Sequence, residues 1–138
     1  MRNTRLSDKI KIVNANIPTA TGTALASTVV DGTGFGRVTF VLTTGAAATG
    51  ATLDMKITSS DATGGSYTDV TSAELVQIAD TGGAKQYAID MPVDSAKPFM
   101  KTVLAAATDT FACSCAAYLY RGVSFPIATT YATQAVVL

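Results

Sequence analysis

The chain has no histidine, no tryptophan, two cysteines and a single glutamate, and charged residues make up 14% of its 138 positions. Each shortage excludes something. Without histidine there is no Ser-His-Asp triad, no Cys-His dyad and no imidazole ligand for a metal. General acid–base work would fall to Asp and Glu, but these are dispersed over turns and outward strand positions, and Glu74 is the sole glutamate. No spacing pairs two carboxylates, so we expect no enzymatic activity, no catalytic residue, no metal and no cofactor. Lys+Arg and Asp+Glu number 10 each, giving a net charge of zero. A phosphate-tracking basic field is therefore not expected, and neither is a specific nucleic-acid partner. No run approaches the ~20 apolar residues of a membrane span, so no membrane partner is expected. The basic start is followed by "IVNANIPTATG", which lacks the apolar region of a secretory signal.

The two cysteines, Cys113 and Cys115, fall in "FACSCAAY". In a strand, positions i and i+2 share a face with Cα atoms roughly 7 Å apart, awkward for a disulfide. A C-x-C pair also offers a metal only two ligands, and no other Cys or His completes the set. Two small buried hydrophobes is the reading that fits.

What remains is apolar but small. Hydrophobic residues reach 48% while aromatics are 7%, and mean hydropathy is +0.31. An ordinary soluble domain carries roughly 25% charged residues. The surface is thus expected to be a bland mixture of Thr, Ser, Ala and Gly, poorly guarded against self-association. Coverage of that surface by other subunits is one explanation.

Period-two alternation runs through most of the chain. "RVTFVLTT" places Val38, Phe40 and Leu42 on one face, and "ATLDMKITSS" does the same with Leu53, Met55 and Ile57. "KQYAIDMPV" sets Tyr87, Ile89, Met91 and Val93 against Gln86, Ala88 and Asp90, and "TDTFACSCAAYLYRG" aligns Phe111, Cys113, Cys115, Ala117 and Leu119. "DKIKIVNA", "GTALASTVVD" and "PFMKTVLAAA" read as further strands, the last covered on both faces. "SAELVQIA" reads as a short helical turn or an irregular crossing. Turn chemistry separates the runs at intervals of about ten residues, the mark of an antiparallel sandwich or barrel. Val38, Phe40, Leu42, Leu53, Met55, Ile57, Ile89, Phe111 and Leu119 are the expected core.

The stretch "SSDATGGSYTDV", Ser59 to Val70, admits three readings. A phosphate loop needs a helix after its glycines, and an EF-hand needs a closing Glu; neither is present. A polar hairpin turn whose glycines take positive φ remains, with Tyr67 as its aromatic anchor.

The ordered signals from Val30 to Pro126 resemble a family of tailed-phage head decoration, or capsid cement, proteins. The family's opening "VD-x-x-GF-x-x-VTFV" is matched by "VDGTGFGRVTFVL", and the hairpin with its aromatic and "DV" follows. "AELVQI", "YAIDMPVDSAKPFMKTVLAAA" and "FACSCAAYLYRGVSFPI" resemble the later pieces in order, with Lys97-Pro98-Phe99-Met100-Lys101 departing from the usual wording. The resemblance implies a non-enzymatic virion protein on the capsid exterior, made in the host cytoplasm. It would be a homotrimer at threefold or quasi-threefold positions, with the major capsid protein as partner. Another virion component (tail, baseplate or head–tail) and a glycan-binding β-module are the alternatives.

The expected fold is all-β: an antiparallel β-sandwich or jelly-roll-like barrel with extended N- and C-terminal arms. Residues 1–22 would form an N-terminal arm with a possible short strand, 23–120 the β domain, and 121–138 the C-terminal arm. Arg2, Arg5, Lys9 and Lys11 crowd the first arm and are the candidates for capsid contact. Tyr118, Tyr120, Phe125 and Tyr131 are the candidates for subunit contact, since aromatics enrich at interfaces. The apolar end, Val136-Val137-Leu138, is expected to dock on the domain or on a neighbour.

Overall fold

A computed structural model of the chain describes residues 10–82, 84–120 and 134–137. Among these residues eleven strands follow one another: β1 (Ile10–Thr21), β2 (Ala24–Ala26), β3 (Val30–Asp31), β4 (Arg37–Ala47), β5 (Thr52–Ser60), β6 (Thr68–Glu74), β7 (Ile78–Ala79), β8 (Gln86–Pro92), β9 (Phe99–Ala107), β10 (Phe111–Tyr120) and β11 (Gln134–Val137). Among the described residues a 3₁₀ turn lies at Asp80–Gly82.

The strands form two sheets. The first has the order β1-β10-β4-β8-β11 and the second β2-β9-β5-β6, with β3 added beside β9 and β7 beside β5. All pairs are antiparallel except β11 with β8. The fold is an all-β sandwich, as the alternation requires.

Between the sheets lies the core. The first sheet supplies Val38, Phe40, Leu42, Ile89, Met91, Phe111, Cys113, Cys115, Ala117 and Leu119; the second supplies Leu53, Met55, Ile57, Met100 and Leu104. All nine residues expected from the alternation are buried to 1% exposure or less. The cysteines are free and buried. Burial pushes the Cys115 thiol up to about 12, helped by the neighbouring Cys113, whose own thiol is raised by burial.

Some local detail differs from the sequence reading. Of the segment read as an arm with a possible short strand, Ile10–Thr21 is a long strand that pairs with β10 along its length. Bulges at Asn14/Asn16 and Asn16/Thr19 bend it toward the second sheet. There Thr102 Oγ1 donates to Asn16 Oδ1, while Ser27 exchanges hydrogen bonds with the Thr102 backbone. These buried polar groups join the sheets along that side. "GTALASTVVD" is two short strands, broken at Ser27–Val29. "SAELVQIA" is an irregular crossing from β6 to β7, in which Leu75 N donates to Met55 O.

The hairpin of "SSDATGGSYTDV" is present, with Ser59 opposite Thr68. Its glycines, however, do not take positive φ. Gly65 is there for space: a Cβ would lie 2.5 Å from Ser60 Oγ. Tyr67 anchors the turn by donating to Thr63 O at 3.0 Å, and Lys101 Nζ sits 4.2 Å from its ring centre. The opening "VDGTGF" is also a packed turn. Gly32 N donates to Pro98 O, and a Cβ on Gly32 would meet Met100, Val93 and Pro98 O at 2.8, 2.9 and 3.1 Å. Thr33 donates to Asp31 Oδ1 and holds that carboxyl below its ordinary value.

Candidate functional site

The two outward faces of the sandwich differ in charge. On the second sheet, β5, β6 and β9 turn Asp54, Lys56, Asp69, Glu74 and Lys101 outward, a solvated pattern. Lys56 Nζ meets Asp69 Oδ2 at 2.9 Å, and Gln77 Nε2 donates to Asp54 Oδ2 at 3.1 Å. On the first sheet, the outward positions of β1, β4, β8 and β10 are Ile, Asn, Thr, Val, Gln, Ala, Ser, Pro and Tyr, with one charged pair, Arg37 and Asp90.

Asp90 is 6% exposed and accepts from Arg37 Nη2 at 3.0 Å, Thr39 Oγ1 at 3.2 Å and Tyr120 OH at 2.9 Å. The register brings them together: Thr39 is opposite Asp90, and Tyr120 is opposite Arg37 on the other side of β4. Asp90 holds the Arg37 guanidinium above its ordinary value. Its lone pairs face three fixed donors on two other strands, β4 and β10, and such a carboxylate ties the sheet together.

Beside this cluster the face is apolar. Ile12 on β1 is 65% exposed and stands opposite Tyr118 on β10, which in turn stands opposite Thr39. Tyr118 and Tyr120, both expected at a subunit contact, thus share this face, but the Tyr120 hydroxyl is bound to Asp90 within the chain. Lys11 lies on β1 opposite Leu119, exposed at the free edge of the sheet. Arg2, Arg5, Lys9, Phe125 and Tyr131 lie outside the described residues. Ile12 was not among the candidates. Its signal was an outward-facing apolar residue, but only the pairing with Tyr118 gives that position meaning.

Elsewhere, a cleft of about 430 Å³ opens between β6 and the turn after β8, lined by Val70, Met91, Val93 and Met100 with Asp69, Asp94 and Lys97 at its rim. Lys97 Nζ bonds Thr68 Oγ1 across it. Among the described residues no aromatic ring lines this cleft. Among the described residues no three His, Cys, Asp or Glu side chains come together as a metal site. No helix among them is long and apolar enough to cross a membrane.

No protein-family model matches the chain, and no curated protein matches it. Among solved structures it is similar to the infectious bursal disease virus VP2 subviral particle, with a TM-score of 0.47 and 10% identity, over 86% of this chain and 34% of that one. It is also similar to infectious bursal disease virus of the Gx strain, with a TM-score of 0.40, 10% identity and coverage of 86% and 33%. For the Gt strain the TM-score is 0.42, with 10% identity and coverage of 86% and 34%. The chain spans about a third of the length of the chains it matches.

Proposed function

We propose that this is a structural protein of a virion, and within that class a capsid decoration protein that binds the outer surface of a phage head. The observation that supports this best is the charge asymmetry of the sandwich. One sheet turns a solvated, charged face outward, while the other turns out a face of small, apolar and tyrosine side chains, on whose described residues the charges are Arg37 and Asp90, bonded to each other. A face of that composition suits contact with another protein surface, where charges are depleted and tyrosine is enriched. The ordered motifs from Val30 to Pro126 give the reading its biological setting.

In this reading the protein is a homotrimer at threefold or quasi-threefold positions, where it meets the major capsid protein. Ile12 and Tyr118 contact the neighbouring subunit. The basic residues Arg2, Arg5, Lys9 and Lys11 reach toward the capsid from the end where β1 begins. Each contact can be modest, because three linked copies bind together and raise the effective concentration of the remaining contacts.

The test is co-sedimentation with phage heads that lack the protein, followed by cryo-electron microscopy of the saturated particles. Saturable binding and threefold density are expected. Charge reversal of Arg2, Arg5 and Lys9 to Glu should weaken binding at least tenfold. An unchanged thermal unfolding midpoint in the same variant would show that the loss is one of contact and not of folding. No binding to heads, or density confined to the tail, overturns the decoration reading.

A further inference from the structure

The outward face of the first sheet is open on one side and covered on the other. On the β10 side Ala116 and Tyr118 are half-buried, and Ile12 beside them is 65% exposed. On the β8 side Ala88 and Asp90 are each 6% exposed, and Thr39 on β4 is 5% exposed, although all three point away from the core. Arg37 and Tyr120 account for part of the cover over Asp90 and Thr39. Ala88 makes no such bonds. Its ladder partners, Val41 and Ala135, stand beside it in the sheet and not over it.

The connectivity says what lies there. β10 is antiparallel to β4, and β4 to β8, while β11 is parallel to β8, so β10 and β11 run in the same direction. β10 ends at Tyr120, level with Arg37 and Pro92, whereas β11 begins at Gln134 beside Tyr87, near the opposite end of β8. The chain between them is therefore a crossover between parallel strands, and such a connection packs back over one face of the sheet. The inward face is filled by the core.

Chirality gives the same answer independently. The bonds Val93 N to Gly36 O and Thr44 N to Lys85 O show that the inward residues of β4 are its hydrogen-bonded pairs with β8. For L-residues this puts β8, and then β11, to the right of β10 when the sheet is viewed from outside with β10 running upward. A connection over the outward face is then right-handed, as such crossovers are in about 98% of cases. One over the inward face would be left-handed. The ends are three ladder spacings and five residues of rise apart, roughly 22 Å. Residues 121–133 reach roughly 43 Å when extended, so the length suffices.

We propose that the outward face over β4 and β8, around Val41, Ala88 and Asp90, is the docking surface for this chain's own residues 121–133. The β1–β10 side, with Ile12 and Tyr118, is left open for a partner. The segment offers Phe125, Pro126, Ile127 and Tyr131 to a floor of small side chains. Phe125 and Tyr131 are thereby assigned to the chain's own sheet instead of a subunit contact. This inference rests on the fold and not on the proposed role in a virion.

A benzophenone amino acid in place of Val41 tests it on the full chain. After irradiation and trypsin digestion, mass spectrometry should find the adduct within residues 122–133, on the peptide that follows Arg121. Mixing light and ¹⁵N-labelled protein before irradiation should show the adduct to be within one chain. Adducts on any other segment, adducts between chains, or no adduct overturn the proposal. The exposed Thr43 position on the same face serves in case the Val41 replacement perturbs folding, and the same results apply. A benzophenone at Ile12 should give no adduct to residues 122–133, and finding one overturns the division of the face.

Discussion

Replacing Asp90 with Ala should cost about 3 kcal/mol of folding stability. The Thr39 hydroxyl is buried and donates to Asp90, and leaving such a donor without an acceptor costs about 1–3 kcal/mol. Tyr120 loses a hydrogen bond to a charged acceptor from a half-buried position, about 1 kcal/mol. Breaking a fully buried ion pair costs about 3–5 kcal/mol, but the Arg37 side chain is 26% exposed and can turn to water, so its share is nearer about 1 kcal/mol. The measurement is urea unfolding followed by circular dichroism, with thermal unfolding as a check; the midpoint should fall by roughly 10 °C. Asp90→Asn keeps one acceptor and should lose about half as much. In a background of Arg37→Ala and Tyr120→Phe, the further loss on Asp90→Ala should shrink, because the three donors act on one carboxylate. A loss below about 1 kcal/mol for Asp90→Ala, or an undiminished loss in that background, would show that the cluster does not tie β4, β8 and β10 together.

Two further outcomes follow from single residues. The Cys115 thiol is pushed up to about 12 in the folded chain, while in the unfolded chain it ionises near its ordinary value, so between roughly pH 9 and 12 the unfolded state binds fewer protons and stability falls as pH rises. Against Cys115→Ala, the wild type should show an extra downward slope approaching about 1.4 kcal/mol per pH unit in urea titrations above pH 9, and equal slopes would contradict the burial argument. Thr108, in the turn between β9 and β10, has φ of 72°, which a β-branched residue adopts at a cost, so Thr108→Gly should raise stability by about 1 kcal/mol. A fall in the melting temperature of that variant would mean that the Thr108 side chain contributes more than its backbone conformation costs.

The core was legible because a strand with one buried face writes its orientation into every second residue. Phe40, Met55, Ile89 and Leu119 could be placed without knowing which strands are neighbours. Alternation failed where neighbours matter. Ala88 and Asp90 read as solvent-facing on β8, yet both are buried, because β8 is an interior strand between β4 and β11 and its outward side is covered. The glycines of the β5–β6 turn read as conformational necessities, whereas Gly65 answers to the nearness of Ser60, a contact that sequence spacing does not reveal.

The candidate site shows the same division at a larger scale. Scarcity of charge announced that some surface is not meant for water, but a composition has no location. The location arises from strand order: β1, β10, β4 and β8 each bring a nearly uncharged outward side, and only their adjacency turns four unremarkable alternations into one continuous face. The charges that do reach it are Arg37 and Asp90, 53 positions apart in the chain, and they cancel because β4 and β8 are paired in a register that puts Thr39 opposite Asp90. A one-residue slip in that register would turn Asp90 into the core and part it from Arg37, so the ion pair also guards the register on which the face depends.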